Sequence, residues 1–160
     1  MDSTLGRIIA TILTLIAIAG VALAGYTAYQ ASAVGDQISN VQQMAQGIKG
    51  LYNGSPSYAT LTNTVVVNAN LVPSSMNVNG TIQDTWGGAV TVVQDATFSN
   101  AFDIGLQSLP QADCVKLATG MAANYVNING NGNVAAPVDP GTATTQCQAG
   151  NANAIVFVFQ

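Results

Sequence analysis

The chain has no histidine and no glutamate, and only 6% of its 160 residues are charged, against the ~25% usual in soluble domains. Without histidine, the commonest general base and metal ligand is missing, and Ser–His or Cys–His nucleophile pairs cannot form. The carboxylates are Asp2, Asp36, Asp84, Asp95, Asp103, Asp113 and Asp139, dispersed rather than clustered. We therefore expect no enzymatic activity, no cofactor and no metal site. Arg7, Lys49 and Lys116 are the only cations and the net charge is −4, so the basic footprint of a nucleic-acid binder is also absent. The remaining surface must be wetted by Asn, Gln, Ser, Thr and Gly. Such a surface suits side-by-side packing, because few charges need to be desolvated.

What is present is a long uncharged run, Ile8 to Gly35. It exceeds the ~20 apolar residues that cross a bilayer core. Beyond it, apolar residues recur at Val34, Ile38, Val41, Ala45, Ile48 and Leu51 or Tyr52. These steps of three and four mark one stripe of a helix, with Gln37, Asn40, Gln43, Gln46 and Lys49 on other faces. A helix from about Ser3 to Tyr52 would run ~75 Å at 1.5 Å per residue, too long to be contained in an ordinary small domain. Asn53-Gly54-Ser55-Pro56 ends it. The expected organisation is a helix over 1–53, hydrophobic over 1–29 and amphipathic over 30–53, followed by a globular head over 54–160.

The head changes period. Ala89 to Val93 reads as a strand after the Trp86-Gly87-Gly88 turn, with Phe98 to Leu106 as its partner. Tyr125 to Asn129 alternates, and Ala154 to Phe159 reads as a buried closing strand. A short helix is expected from Ser108 or Pro110 to about Ala123. Thr60 to Leu71 fits either a strand, through Val65-Val66-Val67, or a helix. Asn129 to Asn133 and Pro137 to Thr145 read as turns, as do Asn53-Gly54-Ser55 and Asn79-Gly80-Thr81, which also match glycosylation acceptors. Trp86 and Tyr52 read as core or head–stem contacts, and Lys49 and Lys116 as solvated or paired across subunits. The fold class is α+β: a long protruding N-terminal helix packed against an antiparallel sheet. Cys114 and Cys147 make an even count behind a membrane-entering segment, which suggests a disulfide formed in an oxidising compartment. Two buried free thiols are the alternative, and the spacing excludes a CxxC redox motif.

The N-terminus admits three readings. A signal peptide would use Arg7, an apolar Ile8 to Gly20 and a cleavage site at Ala22-Leu23-Ala24. A permanent anchor would keep Arg7 on the cytoplasmic side. In the third reading, the helix waits in the membrane and later packs with its own copies. An ordered series of motifs bears on this choice: Ile48-Lys49-Gly50-Leu51-Tyr52, Tyr58-Ala59-Thr60-Leu61-Thr62-Asn63, Val72-Pro73-Ser74-Ser75-Met76 and Trp86-Gly87-Gly88-Ala89-Val90-Thr91-Val92. Then come Leu109-Pro110-Gln111-Ala112-Asp113-Cys114-Val115-Lys116-Leu117, Cys147 and the terminal apolar strand. Together they resemble type IVb pilins of the thin-pilus, conjugative-plasmid group, over nearly the whole chain.

The resemblance implies a bacterial surface-filament subunit serving adhesion, conjugation or motility. It implies cleavage by a prepilin peptidase, N-methylation of the new first residue, residence in the inner membrane, and helical polymerisation by the pilus assembly machinery. With Met1 as that first residue, Leu5 stands where most such pilins carry Glu. Asp2 is then the early carboxylate, expected to pair with the Met1 amine or with Arg7 of an adjacent subunit. A cut after Gly6, starting the chain at Arg7, is the rival numbering. Filament-core packing falls to Leu5, Ile8, Ile9, Ile12, Leu13, Leu15 and Ile16, with Gly20 and Gly25 allowing close helix approach or local loosening. The Cys114–Cys147 pair matches the family's disulfide around a C-terminal variable loop. Alternatives are a minor or tip pilin, a type II secretion pseudopilin, or a monomeric membrane-anchored binding module.

Overall fold

A computed structural model describes residues 32–160, and Val34–Gln160 forms one compact unit. Helix α1 is described over residues 32–51. Its inward stripe is Val34, Gln37, Val41, Met44, Ala45 and Ile48, all buried, so the three-and-four spacing does form one face. Two members, Met44 and Gln37, depart from the sequence reading, and Ile38 of the expected stripe is only partly buried. Gln37, expected on a polar face, is fully buried, because its amide oxygen accepts from the Thr85 N–H (3.0 Å) and the Thr85 hydroxyl (2.8 Å). Past the helix, Gly54 takes φ +85°, the left-handed conformation that closes a helix terminus.

The apolar stripe meets a five-stranded antiparallel sheet in the order β3-β4-β7-β5-β6. Its strands are β3 (Thr91–Gln94), β4 (Phe102–Leu109), β5 (Tyr125–Ile128), β6 (Asn133–Ala135) and β7 (Asn153–Phe159). Register lines up Val92, Ile104, Phe157, Val126 and Val134 as one row across all five strands, on the face that joins the helix stripe in the core. β7 is central, which accounts for its unbroken apolar sequence from Ala154 to Phe159. Four rings, Tyr52, Tyr58, Phe102 and Phe159, follow one another at centroid separations of 5.1, 4.9 and 5.5 Å and carry the core out to the end of α1. Tyr52 thus makes the head–stem contact expected of it, and Trp86 packs half-buried against the same core.

The ambiguous segment around residue 65 is helical: α2 (Asn63–Asn68) starts from Thr62, whose hydroxyl accepts from the Val65 N–H, and buries Val66. Hydrogen bonding from the N-cap, which a valine run conceals, decides it. A two-stranded hairpin, β1 (Asn77–Val78) and β2 (Thr81–Ile82), turns on Asn79 (φ 52°) and Gly80 (φ 81°). α3 (Gln111–Gly120) begins after Pro110 as expected. The stretch read as turns from Pro137 contains α4 (Pro140–Gln146) instead. There Asp139 caps the Gly141 and Thr142 N–H groups and proline occupies the first turn, a start signal that outweighs the glycine and threonines inside the helix. β3 and β4 begin two and four residues later than the sequence suggests. Before β3, Ala89 forms an isolated bridge with Gln83 and the Val90 N–H donates to the Ile82 carbonyl. Before β4, the Ala101 N–H donates to the Phe98 carbonyl, closing a turn beside Asp95, whose carboxylate accepts from the Thr97 and Phe98 N–H groups.

The Trp86-Gly87-Gly88 turn needs both glycines. Gly87 has φ +81°, and a Cβ on Gly88 would overlap the Gln107 carbonyl oxygen and lie 2.6 Å from Asp84 Oδ2. Gly88→Ala should therefore destabilise the head by on the order of 3 kcal/mol, as overpacking against backbone does. Gly35→Ala, where a Cβ meets nothing within 4 Å, should stabilise α1 by up to ~1 kcal/mol. Denaturant unfolding of the two variants, monitored by near-ultraviolet circular dichroism, distinguishes them by sign.

Candidate functional site

The most heavily constrained region is the end of the head where α3, α4 and the β5–β6 hairpin converge. Cys114 in α3 and Cys147 at the end of α4 are bonded, with Cα atoms 6.0 Å apart and a sequence separation of 33. Both are buried, so the bridge acts as part of the core. It encloses the rest of α3, β5, β6 and α4, and leaves β7 outside the loop.

Two asparagines hold that region to the sheet. Asn153, buried at the start of β7, donates to the carbonyls of Leu109 (3.1 Å) and Gln148 (2.9 Å). Its oxygen accepts from the Gln148 N–H (2.7 Å) and from Asn129 Nδ2 (2.9 Å). Asn129, at φ 52° just after β5, also donates to the Gln146 carbonyl and accepts from the Ala154 N–H. Gln111 Nε2 adds a bond to the Cys147 carbonyl. All four hydrogen-bonding positions of Asn153 are filled, which is what makes its burial tolerable. The sequence reading missed this pair and Gln37, since neither alternation nor spacing marks an amide that replaces backbone.

Carboxylates serve the loops. Asp84 accepts from the N–H groups of Trp86 (2.9 Å) and Gly88 (2.7 Å). Burial raises its carboxyl above the ordinary range, and backbone donors at Gly88, Trp86 and Gln107 work against that rise. Beside it lies an open polar cleft of about 480 Å³, lined by Asp36, Ser39, Asn40, Ser75, Asp84 and Thr85. Asp103, on the sheet face away from α1, is pushed up to about 7, first by burial and then by the charge and hydrogen bond of Asp95. Lys116 lies 3.7 Å from Asp113, and Lys49 sits 5.9 Å above the Phe159 ring. Both cations thus have intramolecular partners.

Of the residues singled out in the sequence, Met1, Asp2, Leu5, Arg7, Ile8, Ile9, Ile12, Leu13, Leu15, Ile16, Gly20 and Gly25 lie outside the described residues. Among the described residues no helix is long and apolar enough to cross a membrane, and no His, Cys, Asp or Glu group could hold a metal ion. The described residues form a cross-linked, hydrogen-bonded head.

The family described as PilS, N terminal, matches residues 29–160. The chain is 33% identical over 134 residues to the major structural subunit of bundle-forming pilus of Escherichia coli O127:H6 (strain E2348/69 / EPEC), covering 75% of this chain and 69% of the relative. It is 31% identical over 158 residues to the subunit of the same description in Escherichia coli O111:H-, covering 86% and 81%. Its fold is similar to that of the type IV b pilin from Salmonella typhi, with TM-score 0.65 and 27% identity over 79% of this chain and 99% of that one.

Two expectations follow from this geometry. Replacing both cysteines (Cys114→Ala with Cys147→Ala) should cost ~3–4 kcal/mol by the chain-entropy model. Asn153→Leu should cost ~1–3 kcal/mol by stranding buried partners. Urea titration of each variant measures both. A third concerns Asp103. The folded chain holds its proton up to about 7, whereas the unfolded chain releases it near 3.8. Between those values the native state binds more protons, so this group's contribution to stability falls as pH rises from ~4 to ~7 and stays low above. Asp103→Asn should flatten that slope and raise stability at pH ~8 by about 1 kcal/mol, discounted for partial exposure. Melting temperatures across that range provide the check.

Proposed function

The chain belongs to the PilS family of type IVb pilins, structural subunits with no enzymatic activity, and from that premise we propose that it forms the shaft of a bundle-forming type of pilus. As a pilus subunit it polymerises with itself and resides in a surface filament. The observation that carries the shaft assignment is the match to two major structural subunits of bundle-forming pili. The helix that seals the head core also continues in sequence from the uncharged run Ile8 to Gly35.

Before assembly, the uncharged run holds the subunit in the inner membrane, where ~20 apolar residues suffice to span. A prepilin peptidase exposes Met1, which is methylated, and the assembly machinery transfers the subunit to the filament. There Leu5, Ile8, Ile9, Ile12, Leu13, Leu15 and Ile16 pack against the same segments of neighbouring copies. Gly20 and Gly25 let helices approach closely. The chain carries Leu5 and no glutamate, so Asp2 takes the early electrostatic role, partnered by the Met1 amine or Arg7 of an adjacent subunit. A buried Asp2 or Arg7 without such a partner would be strongly unfavourable.

A shaft subunit should label along the whole length of sheared surface filaments in immuno-electron microscopy; labelling confined to tips would reassign it to a minor role. Asp2→Ala should leave the head folded and disulfide-bonded. It should lower pelletable polymer by on the order of tenfold or more, as loss of one partner of a buried pair does. Unchanged yield and unchanged filament stability would remove Asp2 from assembly.

A further inference from the structure

We propose that Asn53 is a site of spontaneous covalent modification: hydrolytic deamidation, which converts the end of the stem helix from neutral to anionic. The chain has four Asn-Gly dipeptides, Asn53-Gly54, Asn79-Gly80, Asn129-Gly130 and Asn131-Gly132. The reaction needs only water. The Gly nitrogen attacks the Asn side-chain carbonyl carbon, the Cγ–Nδ2 bond breaks, and ammonia leaves with the amide proton. Water then opens the cyclic imide at either carbonyl, giving aspartate or isoaspartate with no change of oxidation state. Glycine favours the attack because no Cβ obstructs the approach, and a hydrogen bond on the side-chain amide or the following N–H must open before the ring can close, which slows it.

The structure sorts the four sites by that criterion. The Asn129 amide is committed to Gln146, Asn153 and Ala154. Asn131 Nδ2 donates to the Ile128 carbonyl at 2.9 Å. The Gly80 N–H donates to Asn77 Oδ1 at 3.0 Å inside a hairpin turn, so the nucleophile after Asn79 is engaged. At the fourth site, Asn53 and Gly54 are both exposed. Hydrogen bonds there run from the Asn53 N–H to the Gly50 carbonyl and from the Ser55 N–H to the Tyr52 carbonyl. They leave the Asn53 side chain and the Gly54 N–H unengaged among the described residues.

The product changes this chain more than it would an ordinary one. Each event takes the net charge from −4 to −5, one amide becoming one carboxylate in a sequence that is only 6% charged. The new charge lies just past the C-terminus of α1, where the helix dipole disfavours an anion. Isoaspartate would further lengthen the backbone between the stem helix and the head.

The experiment incubates the purified full-length chain in mildly alkaline buffer and follows acidic isoforms by isoelectric focusing, with peptide mapping that separates aspartate from isoaspartate. We expect the first acidic isoform to map to Asn53, forming roughly five- to tenfold faster than at the other three sites, the factor one engaged hydrogen bond supplies. Asn53→Gln should abolish that isoform while leaving the fold intact. First modification at Asn79, Asn129 or Asn131 would overturn the proposal. So would persistence of the isoform in Asn53→Gln, an Asn53 that remains an amide, or a sugar found on it.

Discussion

The structure depends on the seal between one stripe of α1 and one row of the sheet. Val34, Val41, Met44, Ala45 and Ile48 share one buried cluster with Val92, Ile104, Phe157 and Val126. Apart from Ala45, each such side chain contributes ~1.5–3 kcal/mol on full burial. The helix therefore belongs to the head thermodynamically as well as by connection, and α1 cannot peel away without opening the core. The uncharged run Ile8 to Gly35 leads in sequence directly into α1, so the segment proposed to anchor the chain is contiguous in sequence with the one that completes the fold.

With so few charges, amide and carboxylate side chains replace backbone where regular structure stops. Asn63 shows the device plainly: its Nδ2 donates to the Val90 carbonyl and its Oδ1 accepts from the Val92 N–H, 2.7 and 2.6 Å away. It thereby pairs the edge strand β3 as a neighbouring strand would, blunting an edge that otherwise invites pairing with another chain. Gln37 does the same for the Thr85 loop, Asp84 for the glycine turn, and Asn129 with Asn153 for the disulfide-bounded region. A satisfied amide avoids most of the desolvation penalty that a buried charge would impose.

Much of this was legible in sequence, for identifiable reasons. Periodicity gave the inward face of α1 from Val34 to Ile48, and apolar continuity gave β7, because burial itself imposes those patterns. The Cys114–Cys147 pairing followed from cysteine count and family resemblance. What escaped was decided by single hydrogen bonds. The valine run at 65–67 favours a strand until the Thr62 cap is counted, and α4 hides behind glycine and threonines until Asp139 is seen to cap it. The sequence places Gln37 on a polar face of α1 and Asn153 just outside the closing strand, so no pattern distinguishes them from solvated amides.

The same economy of charge shapes how copies can meet. Among the described residues the two cations are already engaged, Lys116 with Asp113 and Lys49 with the Phe159 ring. Contacts between heads must then be made largely by uncharged polar surface, which forms hydrogen bonds at modest net gain and loses little to desolvation. Such contacts individually do not hold a filament together. On the filament packing proposed above, strong cohesion would fall to the uncharged run Ile8 to Gly35, with the heads setting how closely neighbours approach. A head stabilised internally by its disulfide and its satisfied amides can meet that requirement without depending on its neighbours for its own fold.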